Sequence, residues 1–187
     1  MSHIVTIKVK VCDLEAIRKT CQRMKLKEPC FGKATVFQKT VAGTIVQLPG
    51  WEFPIVINLR TGNIQYDNYQ GYWGKQEELD KFLMYYGVEK AKLEAAKEGQ
   101  TWTETELDNG QVMVEIHPER NQPNKTINIT FSPGGGTKVE TTGYSGPGCA
   151  KASASVEAAL GTWTGETKKS EYYEVTEEEQ QYQENQS

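Results

Sequence analysis

The period of apolar and polar positions changes several times along the chain, and each change predicts an element. From His3 to Val11 the pattern alternates. Val5, Ile7, Val9 and Val11 fall on one side, and Ile4, Thr6, Lys8 and Lys10 on the other. That is the pattern of a half-buried strand. Asp13 then stands where a helix cap is needed, with Glu15 in the first turn, and Leu14, Ile17, Cys21 and Met24 recur at helical spacing. A helix is predicted from Leu14 to about Met24. Residues 27–32 read as a loop. Short strands are predicted over Ala34 to Lys39, Gly43 to Leu48, Pro54 to Leu59 and Ile64 to Asp67, with Val41-Ala42-Gly43 as the turn between the first two.

The longest helical pattern runs from Lys75 to Gly99. Leu79, Phe82, Leu83 and Tyr86 mark one apolar face, and Ala91, Leu93, Ala95 and Ala96 continue as good helix formers. Glu77 and Glu78 at the start and Lys97 at the end suit the helix dipole. Gly87 is the weak point, costing ~1 kcal/mol against alanine. Beyond it, Thr101 to Glu106 and Gln111 to Ile116 flank Asp108-Asn109-Gly110, a strong hairpin signal.

Residues 118–124 are polar with two prolines and read as a linker. Lys125 to Phe131 alternates, Ser132 to Gly136 turns, and Thr137 to Thr142 pairs back. A glycine-rich stretch, 143–148, precedes a helix from Cys149 to Leu160 that ends at Gly161, with Ala152, Val156, Ala159 and Leu160 on its apolar face. Thr162 to Val175 is amphipathic without a clear period. Residues 176–187 carry no aliphatic side chain and four glutamates, the composition of a disordered acidic tail. The expected class is α+β. A mostly antiparallel sheet with two helices on one face occupies residues 1–117, and the linker 118–124 leads to a small ββα module at 125–175 that extends or caps that sheet.

Composition narrows the partners. Residues 1–120 hold 16 basic and 16 acidic side chains, so the whole net charge of −4 resides in residues 121–187. Nothing there is a basic footprint for nucleic acid. No apolar run is long enough for a membrane span, and no secretion signal is visible, so a cytoplasmic protein is expected. Cys12, Cys21, Cys30 and Cys149 form no C-x-x-C pair, and the histidines His3 and His117 are far apart in sequence. Four reduced thiols, mostly buried, and no metal or cofactor are the expectation.

The richest constellation is Tyr66, Tyr69, Tyr72 and Trp73, with Trp51 nearby in sequence. It has two readings: a loop pinned over the sheet by its own aromatics, or a surface for a protein partner, since such side chains dominate interface hot spots. Cys149 near a helix N-terminus is a candidate reactive thiol, or else a core residue. His3 and His117 are candidate partners in a metal site if a sheet brings them together. Glu104, Glu106 and Glu115 read as solvated carboxylates sharing a hairpin face. The glycines at 143–148 lack a phosphate-loop lysine and read as a tight turn. No catalytic set is legible.

Two stretches carry family resemblances. MSHIVTIK, LPGWEFPIVI, IQYDNYQGYWG, LDKFLMYYGVEKAKLEAAKEG and LDNGQVMVEI, within residues 1–117, resemble a family of unknown function that includes a small conserved reading frame of cyanobacteria and red-algal plastids. Residues 122–174, with ITFSPGGGTKVETTGYSGPGCAKASASVEAALGTWTGE and KSEYYE, resemble a separate short ββα family, also of unknown function. The resemblance implies a fusion of two units often encoded side by side, with an AAA+ ATPase and sometimes a ferredoxin as neighbours. It departs from the family pattern in the longer linker and the triple-glycine turn. The expected function is a non-enzymatic adaptor or regulatory subunit of a protein complex, with the loop 66–73 and the acidic tail as contacts and the ATPase as partner. The alternatives are a redox- or metal-linked protein using Cys149, and a protein that assembles with itself through exposed sheet edges.

Overall fold

A computed structural model describes residues 3–36, 38–118, 124–144 and 148–168. In chain order the elements are β1 (His3–Val9), α1 (Leu14–Arg23), β2 (Cys30–Val36), β3 (Lys39–Val46), β4 (Ile55–Asn58), β5 (Asn63–Gln65), α2 (Gln76–Lys97), β6 (Thr101–Glu106), β7 (Val112–His117), β8 (Thr126–Phe131), β9 (Gly136–Thr142), α3 (Gly148–Leu160) and β10 (Gly161–Lys168). Short 3-10 turns stand at Tyr69–Gly71 and Pro133–Gly135. The class is α+β, and every described strand pair is antiparallel.

The strands divide between two sheets. One has the order β10-β1-β9-β8-β7-β6, the other β2-β3-β4-β5. Helix α2 lies between them. Met84, Val88, Ala91 and Ala95 join Val5, Ile7, Val114, Ile129, Phe131 and Val139 of the large sheet, together with Val156 and Leu160 of α3. Leu79, Phe82 and Tyr86 join Val46, Ile55 and Ile57 of the small sheet, Leu48 of the loop after β3, and Ile17 and Cys21 of α1. The single apolar face expected for α2 is therefore two. A long buried helix needs no polar stripe when both sides are covered.

That burial reverses the meaning of Gly87. It is buried, and a Cβ built there would lie 2.7 Å from the Phe131 ring. The glycine is the point of close approach between α2 and the large sheet, not merely a weak helix former.

Other local differences have equally plain causes. Val36 pairs with Lys39, so the first hairpin turns between them rather than at Val41-Ala42-Gly43; Gly43 sits inside β3 opposite Gly32. The same ladder begins at Cys30, inside the stretch expected to be a loop. Register puts Glu104 opposite Val114 on the helix side of the large sheet, whereas Glu115 lies opposite Thr103 on the other side, so the three glutamates do not share a face. On α3 the buried positions include Ser153, Val156, Glu157 and Leu160, and β10 begins directly at Gly161 where the pattern was ambiguous. The tail 176–187 lies outside the described residues.

Charged groups lock α1 onto α2. The Asp13 Oδ1 accepts from the N–H of Glu15 and of Ala16, capping α1. Its other oxygen lies 2.8 Å from the Lys90 ammonium, which also reaches Glu94 at 2.6 Å. The Tyr86 hydroxyl, wholly buried, accepts from the N–H of Cys12 and of Asp13, both at 3.1 Å. At the other end of α1, Arg23 pairs with Glu89 and Glu104 and lies 4.3 Å from the centre of the Tyr85 ring, and Lys92 also pairs with Glu104. Burial by itself would raise the Asp13 and Glu104 carboxyls. Hydrogen bonds outweigh it, from Lys90, Ala16 and Glu15 at Asp13 and from Arg23 and Lys92 at Glu104, and both carboxyls sit below their usual range.

Two outcomes are expected. Gly87→Ala lowers stability by roughly 1–3 kcal/mol in urea unfolding although alanine is the better helix former, because the methyl meets Phe131. Carboxylates held low in the folded state contribute stability above their unfolded pKa and lose it as pH falls; the urea midpoint should be flat near neutrality and drop from about pH 5 towards pH 3, less steeply in Asp13→Asn.

Candidate functional site

The aromatic constellation is brought together by two loops, 49–54 and 66–75. Trp51 is their base. It follows the Pro49-Gly50 turn and is 5% exposed. Its indole N–H donates to the Lys75 carbonyl at 3.1 Å, just before α2 begins. Its own carbonyl accepts from the Gln47 amide at 2.7 Å, and the N–H of Glu52 donates to the Trp73 carbonyl at 2.8 Å. Gly74 passes so close that a Cβ there would collide with the indole of Trp51. The two loops are thus one packed unit.

Above this base the rings form a ridge. Phe53 meets Trp73 edge-on with centroids 5.3 Å apart. Trp73 stacks on Tyr69 at 4.7 Å and 25°. Tyr69 contacts Tyr72 at 5.5 Å. Tyr66 leans on Trp51 at 5.7 Å. Exposure rises along the ridge: Tyr66 is 41% exposed, Tyr69 57% and Tyr72 83%.

The backbone beneath is constrained. Tyr69, Gln70 and Gly71 follow one another at φ 43°, 55° and 97°. Left-handed backbone costs a non-glycine residue about 1–2 kcal/mol. Hydrogen bonds hold it there. The Asp67 carboxylate accepts from the Tyr69 N–H at 2.8 Å, and the Asn68 carbonyl accepts from the N–H of Gly71 and of Trp73 at 2.9 and 3.0 Å. The Asn68 amide donates to Gln76, in the first turn of α2, at 3.1 Å.

All five aromatics picked out by sequence thus lie together, with different duties. Trp51 is the anchor, and Tyr69 and Tyr72 are the outward surface. The loop is pinned by its own aromatics, and two of its tyrosines are exposed. Phe53 was missed. Its signal is its spacing of two from Trp51 after a tight turn, which projects both rings into one loop cluster.

The other candidates stand apart. Cys149 is in the first turn of α3, and its side chain lies outside the described residues. Of the remaining cysteines, Cys12 and Cys30 are exposed, against the expectation of burial. Cys21 is buried, and desolvation with some help from Glu28 pushes its thiol up to about 11. His117 lies 3.3 Å from Glu115. His3 is on β1, three strand positions away from β7, a separation of about 14 Å, so the sheet does not join the two histidines. Among the described residues no group of three or more His, Cys, Asp or Glu could hold a metal ion, and no helix is long and apolar enough to cross a membrane. A cleft of about 590 Å³ opens between the sheets, with Val9, Leu79 and Leu83 among its apolar lining and Lys8 and Lys10 at its polar rim. Tyr66 borders it.

Residues 127–173 match a family described as a protein of unknown function (DUF2997). No curated protein and no solved structure matches the chain. The matched segment, a domain of unknown function, takes in β9, α3 and β10 and all of β8 but its first residue; the aromatic ridge lies outside it.

Substitutions should separate anchor from surface. Trp51→Ala is expected to cost about 3–5 kcal/mol by chemical denaturation, and Tyr72→Ala within about 0.5 kcal/mol of nothing.

Proposed function

We propose that the protein is a non-enzymatic adaptor or regulatory subunit of a cytoplasmic complex that binds a protein partner through the ridge of Tyr69, Tyr72 and Trp73. One observation carries this reading: exposed tyrosines stand on a loop whose conformation is already set by hydrogen bonds and by a buried tryptophan. Aromatic side chains of this kind supply large contact area. A loop already held in shape loses little freedom on binding, so more of the contact energy appears as affinity. The resemblance of residues 1–117 and 122–174 to two units encoded beside an AAA+ ATPase makes that ATPase the first partner to test.

The test is an affinity purification from the native host, comparing the unaltered protein with a Tyr69→Ala, Tyr72→Ala double variant of the same melting temperature. Recovery of an ATPase in fixed ratio, lost in the double variant, is the expected outcome. Equal recovery by both proteins removes the ridge from the reading.

A further inference from the structure

The large sheet is woven from both ends of the chain. Strand β1 lies between β9 and β10. It runs antiparallel to each, so β9 and β10 are parallel to one another and one strand apart, a gap of about 10 Å. Helix α3 crosses from β9 to β10 over that gap. The segment 127–173 therefore contains both walls of a slot and its roof, and the strand that fills the slot comes from the other end of the chain.

We propose that this segment is a strand-accepting module: the slot between β9 and β10 binds an extended polypeptide of alternating apolar and polar residues, antiparallel to both walls, and in this chain β1 is that ligand. Residues Ile4 to Lys8 are paired on both sides, with β9 and with β10. Val5 and Ile7 point under the roof and are 0% and 1% exposed, in one cluster with Val139, Val156 and Leu160. At the end of the slot the Lys10 N–H donates to the Leu160 carbonyl at 3.0 Å, where α3 passes into β10. Along β10 the ladder is irregular at Thr6 and Ile7, and the Thr164 hydroxyl there donates to the Thr6 carbonyl at 3.1 Å. An empty slot would leave two inner strand edges without partners and uncover Val156 and Leu160, and that combination recognises a strand by its backbone and by the phase of its side chains. Phase matters because a slip of one residue would turn Lys8 and Thr6 under the roof.

The test uses a labelled peptide of residues 1–12 and three proteins: the unaltered chain, the full-length Thr6→Pro variant, and a chain lacking residues 1–10. Thr6 alternates with the buried Val5 and Ile7 and is exposed, so the proline disturbs the backbone of β1 inside the sheet and spares the apolar packing. The Thr6→Pro chain is expected to take up the peptide roughly 100-fold more tightly than the unaltered chain, whose slot is filled. The shortened chain should bind it one to one and gain strand signal by circular dichroism. A peptide with its apolar positions moved by one residue should not bind either protein. Equal uptake by the unaltered and Thr6→Pro chains overturns the proposal. So does equal uptake of the shifted peptide, a shortened chain that remains unfolded at saturating peptide, or one that folds fully and ignores the peptide because β9 and β10 have closed on each other.

Discussion

Helix α2 has no side to give to water along its middle. With apolar residues facing both sheets, its few polar groups there have to find partners inside the protein, because a buried polar group left unpaired costs several times what a made hydrogen bond contributes. Tyr86 and Lys90 meet this demand by holding the start of α1: the hydroxyl takes two backbone N–H groups, and the ammonium takes the capping carboxylate and Glu94. One helix thereby sets the position of the first helix and the spacing of the two sheets. Lys90 sits in this place as a cation stabilised by two carboxylates that outweigh its desolvation, and its affinity for the proton is raised.

The aromatic ridge inherits its rigidity from the same helix. The carbonyl of Lys75 accepts the indole N–H of Trp51, and the side chain of Gln76 takes the amide of Asn68, so both loops are tied to the first residues of α2. Gln76 also donates to Asp80 one turn on. The exposed tyrosines are therefore the outer end of a chain of contacts that begins in the core. This combination of a buried indole below and wet phenol rings above suits groups that are apolar in the ring and polar at the tip.

Much of this was legible in the sequence, and the limits have physical causes. Alternation in β1, the Asp13 cap, the Asn109-Gly110 turn and the length of α2 are local signals, and local signals survive folding. The apolar face of α2 was half read because a helix covered on two sides scatters its apolar residues around the axis, leaving no single stripe to detect. Gly87 was misjudged for a related reason: its propensity is a property of the helix, whereas its necessity belongs to Phe131, forty-four residues later. The placement of β1 between β9 and β10 depends on pairings between the two ends of the chain, and no window of sequence contains both. The aromatic cluster was found because its members are crowded in sequence; the assignment of Trp51 to the base and Tyr72 to the surface required burial, which composition does not report.

The woven sheet also sets a timetable for synthesis. Contacts of β1 reach across the chain, as between Thr6 and Thr164, 158 residues apart. A ribosome adding about 5–20 residues per second needs roughly 10–30 s to deliver the second wall of the slot after the first strand has emerged. Throughout that interval the small sheet, α1 and the long helix can collapse together, while Val5, Ile7 and Val9 wait without their ladder. Strand β1 is thus made well before either of the strands that enclose it, and its apolar side stays without its sheet until β9 and β10 have both been synthesised.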